Sequence, residues 1–361
     1  MIGYQEIIHI KAPARICLFG DHQDYLGLPV IACAIDRYIE LIANPSKDKA
    51  LYIHMLDIGE ARIIQIGEPI EVLSNTDFFA SAIKVLERFG CIPERGYDIT
   101  IKGNIPINAG LSSSSAVLVA WVAFLLEAFG ANEKTTLELI AKICYTAEVL
   151  EFNGPGGLMD QYSISLGNTI FLDTVTGNHT TISNEVASLI IGESGVPKET
   201  LEILRHLGDY AKKAIRQVKE KFPEFDISKS TLSDYNKYAD LVDEKLQPIF
   251  YAALKNYEIT KEAFKVMQQE LIDINRIGEL MDAHHKELKE HLKITVPIID
   301  AMIEGAKRGG ALGAKIVGSG GGGCIVAIAR PGEEQNVING ILAGGASAAY
   351  KINIGKGVQV L

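Results

Sequence analysis

Gly313-Ala314-Lys315-Ile316-Val317-Gly318-Ser319-Gly320-Gly321-Gly322-Gly323-Cys324-Ile325-Val326 carries, from Gly318 to Gly323, the spacing G-x-G-x-x-G. In a dinucleotide-binding fold those glycines open a helix, whose N-terminus takes the pyrophosphate. Here the run continues as Cys324-Ile325-Val326-Ala327-Ile328-Ala329, a short apolar stretch that reads as a strand, and Ala314 to Val317 reads as another before it. A glycine loop between two strands is not a Rossmann turn, so that reading is rejected. The chain contains no G-x-x-x-x-G-K-[ST] and no G-x-S-x-G, which removes the Walker-type loop and the serine-hydrolase elbow. Eight of the 15 residues from Gly309 to Gly323 are glycine, a local excess within a total of 34. Such a run suits backbone that passes close to a bound phosphate or base, because glycine has no Cβ to obstruct it.

Two further stretches carry chemistry. In Lys102-Gly103-Asn104-Ile105-Pro106-Ile107-Asn108-Ala109-Gly110-Leu111-Ser112-Ser113-Ser114-Ser115-Ala116 a strand leads into a Pro/Gly turn, and four serines then open an apolar helix. The first N–H groups of a helix have no partner inside it, and with the helix dipole they form an anion site. A serine hydroxyl there can also ligate Mg²⁺. Capping alone would explain one serine but not four. In Lys11-Ala12-Pro13-Ala14-Arg15-Ile16-Cys17-Leu18-Phe19-Gly20-Asp21-His22-Gln23-Asp24-Tyr25 an apolar strand ends at a glycine and is followed by Asp21, His22 and Asp24. Carboxylates there suit a polyhydroxylated ligand, since they accept from hydroxyl groups. A solvated polar turn is the other reading, and both stay open on this stretch alone.

The whole chain bounds the function. It has 361 residues, 35 basic and 45 acidic side chains, and a formal charge of −10. That balance argues against a nucleic-acid-coating protein, which needs basic surface to replace counterions, but it leaves room for one locally positive pocket. A hydrophobic content of 47% excludes intrinsic disorder. Five scattered cysteines without a C-x-x-C pair fit reduced thiols and disfavour a disulfide framework or zinc site. The start, with Gln5, Glu6 and His9, lacks the apolar run of a signal peptide, and Ala116 to Leu126 is too short to span a bilayer. The expectation is a cytoplasmic protein with no nucleic-acid or membrane partner.

Patterning predicts strands at Glu6–Lys11, Ile16–Phe19, Val30–Ile42 and Tyr97–Ile105, and a hairpin partner over Leu51–Ile66. It predicts helices at Asp77–Phe89, Ser113–Phe129 and Thr136–Leu150, and beyond Asn178 at Lys198–Lys221, Leu232–Ile259, Thr260–Leu292 and Pro297–Lys307. Length suggests two domains, placed at 1–175 and 176–361.

Taken in order, the three motifs resemble those of the GHMP kinase family, which includes galactokinase, homoserine kinase, mevalonate kinase and phosphomevalonate kinase. Within it the chain looks most like the galactokinases. Gly20-Asp21-His22-Gln23-Asp24-Tyr25 stands in place of their G-E-H-T-D-Y, and Ala147-Glu148 with Pro155-Gly156-Gly157-Leu158-Met159-Asp160-Gln161 resembles their A-E-H and P-C-G-I-M-D-Q. Gly278-Glu279-Leu280-Met281-Asp282-Ala283-His284 resembles the helix before their third motif.

The resemblance implies an α+β fold of two domains, an N-terminal ribosomal-S5-like α/β domain and a C-terminal ferredoxin-like α+β domain, with the active site in the cleft between them. It implies an ATP-dependent sugar kinase acting on the anomeric hydroxyl to give sugar 1-phosphate and ADP, with ATP and Mg²⁺ bound. Asp160 would be the base and Arg15 would stabilise the transferring phosphoryl group. Asp21, His22 and Asp24 would bind the sugar, and Gly110, Leu111, Ser112, Ser113, Ser114 and Ser115 the ATP phosphates. Ser114 and Glu148 would ligate Mg²⁺, with Ser113 or Ser115 as alternatives to Ser114. Gly318, Gly320, Gly321 and Gly322 would lie near the phosphates.

The departures from the galactokinase pattern are Asp21 for Glu, Gln23 for Thr, Leu26-Gly27-Leu28 for Asn-Gly-Gly, Gly156 for Cys, Lys315 where Arg is common, and Ser115 for Ala. They leave the sugar open between galactose, a uronic acid, a pentose and another hexose. The alternatives are a mevalonate-type isoprenoid kinase or a non-catalytic sugar- and ATP-binding sensor. The oligomeric state and the adenine pocket are not specified by these motifs.

Overall fold

The computed structural model describes residues 7–70, 74, 76–183, 187–197 and 200–361. Glu6 and Lys198, where two expected elements begin, lie outside them.

The first sheet starts with β1 (Ile8–Phe19), a single strand where two short ones were expected. Pro13 has no N–H to give to the ladder, and the register with the next strand shifts between Pro13 and Ala14, so the strand bulges without ending. β2 (Val30–Pro45) runs antiparallel to β1 along its length. β3 (Ala50–Met55) and β4 (Glu60–Gln65) form the expected hairpin, and β5 (Tyr97–Gly103) lies parallel to β3 and antiparallel to β2. β6 (Thr169–Leu172) takes the remaining edge of β2 at Val30 to Cys33, and β7 (His179–Ile182) pairs with β6. The expected domain division at 175/176 falls between these two paired strands.

α1 (Phe78–Glu87) is capped by Asp77, whose carboxylate accepts from Ala80 N at 3.3 Å. α2 (Ser113–Phe129) is apolar around almost its whole circumference and runs buried across the sheet. Its Trp121 and Phe124 pack with Phe79 and Tyr97 in edge-to-face and tilted contacts. α3 (Leu137–Tyr145) does not stay an α-helix to Leu150. It widens into a π-turn over Thr146–Leu150, with Glu151 N donating to Thr146 O at 3.0 Å. Such insertions re-aim a side chain at a site. α4 (Met159–Leu166) follows a glycine-rich loop.

The second sheet has β8 (Ser188–Glu193), β9 (Gly313–Ile316), β10 (Cys324–Ala329) and β11 (Ala348–Ile352), in the order β11-β8-β10-β9 and antiparallel throughout. β12 (Gln359–Val360) returns to the first sheet and pairs with β1 at Ile10 and Lys11.

α5 (Thr200–Lys221) is long, as expected. The helix expected over Leu232–Ile259 is broken. Thr231 and Asp234 form a capping box on a 3-10 turn (Leu232–Asp234) that leads into α6 (Tyr235–Tyr238), Val242 is extended, and α7 (Gln247–Met267) begins afresh. Pro248 supplies the reason, since inside a longer helix it would lose a backbone bond and clash with the preceding turn. The stretch expected over Thr260–Leu292 breaks too. α8 (Ile274–Glu290) is capped by Asp273, which accepts from Asn275 N and Arg276 N at 3.1 Å. α9 (Pro297–Arg308) and α10 (Glu334–Ala343) pack together and support the second sheet. The five cysteines are buried single thiols. Among the described residues no helix is long and apolar enough to cross a membrane.

Candidate active site

The head of α2 is built by two left-handed residues, Gly110 at φ +88° and Ser112 at φ +58°. Ser112 occupies the N-cap position, but its hydroxyl does not cap the helix. It donates to Asp160 Oδ2 instead. The first-turn N–H groups of Ser113, Ser114 and Ser115 therefore stay available, aligned with the positive end of a 17-residue helix. That arrangement is an anion site.

Arg15 reaches this point from the middle of β1. Its Nε and Nη2 donate to Asp160 Oδ1 and Oδ2, both at 2.7 Å, and its Nη1 donates to Gly110 O at 2.5 Å. One guanidinium thus ties a carboxylate at the start of α4 to the backbone of the loop before α2. Burial opposes the guanidinium's charge, but Asp160 outweighs it and raises the Arg15 pKa above its ordinary value. The same cation favours an ionised Asp160.

Glu148 projects from the π-turn. Its Oε1 accepts from Ser115 Oγ at 3.0 Å and its Oε2 from Gln161 Nε2 at 2.6 Å. Burial is the main cause that pushes its pKa up to about 7, with the Asp160 charge adding to it against the two hydrogen bonds. Ser114, the serine expected beside Glu148, is exposed, whereas Ser115 is buried and bonded to it. Helical geometry explains the difference, because adjacent residues point about 100° apart and only one faces α3.

The three polar residues of the first motif separate. Asp21 is buried. Its Oδ2 lies 2.7 Å from Lys315 Nζ, with the two side chains 1% and 0% exposed, and its Oδ1 accepts from Gly318 N at 2.9 Å. Burial alone would raise its pKa, yet Lys315 overrides this and the carboxyl is held below its ordinary range. His22 is buried with φ +61°, and its Nε2 lies 3.1 Å from Ser319 O and its Nδ1 3.2 Å from Tyr25 Oη. Asp24 alone borders a cavity of about 440 Å³, shared with Tyr25, Tyr145, Asn153, Gly157 and Lys212 among others. Burial, and then the charge of Asp160, push its pKa up to about 6. Gly157 permits this approach, because a Cβ there would lie 2.4 Å from Asp24 Oδ2.

The glycine run touches protein rather than open space. A Cβ on Gly318 would lie 3.2 Å from Gly110 O, and one on Gly323 would lie 2.7 Å from Ala109 O. Both have positive φ. The glycines let the loop after β9 lie directly against the loop before α2, the two closing on each other backbone to backbone. Gly320 and Gly322 pack similarly against Ile294 and against Val196 and Pro197. The structure therefore brings Arg15, Ser112 and Asp160 into one hydrogen-bonded group and Ser115, Glu148 and Gln161 into a second beside it, with Asp24 bordering the adjacent cavity.

The sequence motifs assign no role to Lys315 or Gln161. The signal for Lys315 was available, since a lysine inside a short apolar strand must find a partner or neutralise. Gln161 has no comparable signal beyond its place next to Asp160.

Comparison with known proteins bears on the fold that carries this site. Residues 77–168 match the GHMP kinases N terminal domain, residues 262–346 match the GHMP kinases C terminal domain, and residues 1–45 match the galactokinase galactose-binding signature. A galactokinase of Clostridium perfringens is 28% identical, with 95% of this chain and 90% of that protein covered. A mevalonate kinase of Thermococcus gammatolerans is also 28% identical, with 95% of each covered. The crystal structure of Lactococcus lactis galactokinase complexed with galactose superposes with a TM-score of 0.88 over 99% of this chain and 96% of that one. At 23% identity that likeness speaks for the shared two-domain, mixed α/β fold.

Proposed function

The chain belongs to the GHMP kinase family, and from that premise we propose that it is an ATP-dependent sugar kinase, moving the γ-phosphoryl group of ATP to the anomeric hydroxyl of a monosaccharide to give sugar 1-phosphate and ADP. The observation that carries this reading is the cluster of Arg15, Asp160 and Ser112 at the head of α2, with Asp24 and its cavity beside it. An anion site, a fixed cation, an ionised carboxylate and a hydroxyl-binding acid meet within a few residues' reach.

In-line phosphoryl transfer asks for positioning and charge stabilisation more than covalent chemistry. The first-turn amides of α2 hold phosphate oxygens. Asp160, kept ionised by Arg15, accepts a hydrogen bond from the sugar hydroxyl and orients its oxygen. Being a weak base, it takes the proton late, as the bond to phosphorus forms. Arg15 opposes the negative charge on the moving group and, through Gly110 O, fixes the phosphate loop relative to the base. Asp24 accepts from a second hydroxyl of the sugar.

Glu148 and Ser115 fit Mg²⁺. Glu148 is a partly buried carboxyl whose hydrogen-bond partners, Ser115 and Gln161, are both neutral, and a bound cation would favour its ionised form. Among the described residues no group of three or more His, Cys, Asp or Glu forms a protein cage for a metal. Mg²⁺ in phosphoryl-transfer sites typically uses one or two carboxylates, with phosphates and water supplying the rest. Bound there, Mg²⁺ would neutralise phosphate charge.

The test is ADP release with galactose, arabinose, glucuronate, galacturonate, N-acetylhexosamines and mevalonate as acceptors. Turnover of a free sugar, and none of its anomeric methyl glycoside, is the expected result. A mevalonate kinase relative at 28% identity makes mevalonate the informative competitor. Turnover of mevalonate alone would overturn the sugar assignment, and binding of sugar and ATP without ADP would point to a sensor.

A further inference from the structure

Asp21 sits where a hydroxyl-binding acid was expected, yet its carboxylate has no surface to offer. Its side chain is 1% exposed and its partner Lys315 is 0% exposed. Both oxygens are engaged, one by the Lys315 ammonium at 2.7 Å and one by Gly318 N at 2.9 Å. Lys315 also donates to Cys17 O at 3.0 Å, so the ammonium holds two points of the β1 end at once. One residue on, His22 meets Ser319 O at 3.1 Å. The turn between β1 and β2 is therefore stitched to β9 by an ion pair and to the loop after β9 by an amide-to-carboxylate bond and an imidazole. That same loop lies against Gly110, whose carbonyl accepts from Arg15. Asp24 lies three residues beyond Asp21 in the stitched turn.

We propose that Asp21 and Lys315 are a positioning pair, which fixes the turn bearing Asp24 relative to the phosphate loop, and that Asp24 rather than Asp21 is the acid of this motif that meets the acceptor. The inference builds on the sugar-kinase reading. Buried ion pairs add little net stability over apolar replacements, because both charges lose their hydration. They do fix one arrangement, since any shift leaves a charge unpaired. The pair also accounts for two of the departures from the galactokinase pattern together. A shorter acid at 21 and a lysine at 315 are met by one another across the two sheets.

The test is a double-mutant cycle with D21N, K315M and D21N/K315M, together with the conservative K315R. It reads melting temperature, MgATP affinity, and kcat and KM for the best acceptor among galactose, arabinose, glucuronate, galacturonate and N-acetylglucosamine. A ligand role and a positioning role predict opposite couplings. Positioning predicts that each single variant lowers both melting temperature and kcat, while D21N/K315M melts above both and keeps the sugar KM within about threefold of wild type. K315R keeps the charge and the fold, and it is expected to lower kcat by about tenfold or more at an unchanged sugar KM. A sugar KM raised at least about tenfold in D21N, and equally in the double variant, would make Asp21 a ligand and overturn the proposal. If the single variants fail to fold, the double variant and K315R still decide it. If wild type turns over none of these sugars, the sugar-kinase reading fails separately. In that case non-additive melting temperatures with weakened MgATP affinity in K315R support the pair, and additive ones refute it.

Discussion

The Arg15 guanidinium holds both carboxylate oxygens of Asp160 at 2.7 Å while its third nitrogen holds Gly110 O at 2.5 Å. The proposed base and the phosphate loop are thus fixed by one side chain. Asp160→Asn keeps the shape, removes the proton acceptor and leaves the buried Arg15 without its counter-charge. Turnover should fall roughly 10²–10⁴-fold, and MgATP should still protect the protein against thermal unfolding. Near-wild-type kcat in the purified variant would remove Asp160 from the mechanism.

Ser115 and Ser114 are neighbours with different surroundings, one bonded to Glu148 and one exposed. Ser115→Ala should raise the Mg²⁺ concentration for half-maximal rate by about tenfold or more, and Ser114→Ala should change it little. A Mg²⁺ titration of the two variants reads this directly. The opposite ranking would return the metal role to Ser114.

Asp24 should impose a pH dependence on sugar binding. Its folded pKa, about 6, lies above the ordinary carboxylate value because it is buried and close to Asp160. It accepts hydroxyl hydrogen bonds best when ionised, so sugar KM should rise as pH falls through 6. The sign for stability is the reverse. The native state holds this proton more tightly than the unfolded chain, so the group costs stability progressively as pH rises from about 4 to about 6. Asp24→Asn should therefore flatten the KM profile, impair turnover and raise the melting temperature at pH 7. A variant with unchanged sugar kinetics would exclude Asp24 as a ligand.

Gly110 tests the contact between the two loops. Its φ of +88° and the 2.9 Å from a built Cβ to Val317 O leave no room for a side chain. Gly110→Ala should destabilise the fold by more than about 1 kcal/mol and raise MgATP KM more than sugar KM. Thermal melting and steady-state kinetics check both halves of that expectation.

Local pattern carried much of the architecture. The extent of α2 follows from its unbroken apolar run, and the strands around the glycine run follow from their composition. The breaks at Val242 and before Asp273 were also written locally, in Pro248 and in a capping aspartate, but long apolar spacing concealed them. β8 and β11 carry no clear pattern of their own, since short strands acquire their identity from the sheet they join. In the site, Arg15, Glu148 and Asp160 were legible through motif and order. The burial of Asp21 was not, because its partner lies far along the chain and no local spacing announces an ion pair. The choice of Ser115 over Ser114 is a matter of helical phase against α3, which appears only once the helices are packed.

The bond from Gly318 to Asp21 spans 297 residues. Folding must therefore close a loop of nearly 300 residues before the first motif is satisfied. Until β9 docks, β1 ends in a carboxylate with neither its ammonium nor its amide partner, and the turn holding Asp24 has nothing to define it. The first sheet, apart from β12, can form earlier from nearer contacts, but catalytic competence should appear as a late, separate event. In a refolding experiment, recovery of secondary structure would then precede recovery of turnover, and the interval would report the docking of the second sheet.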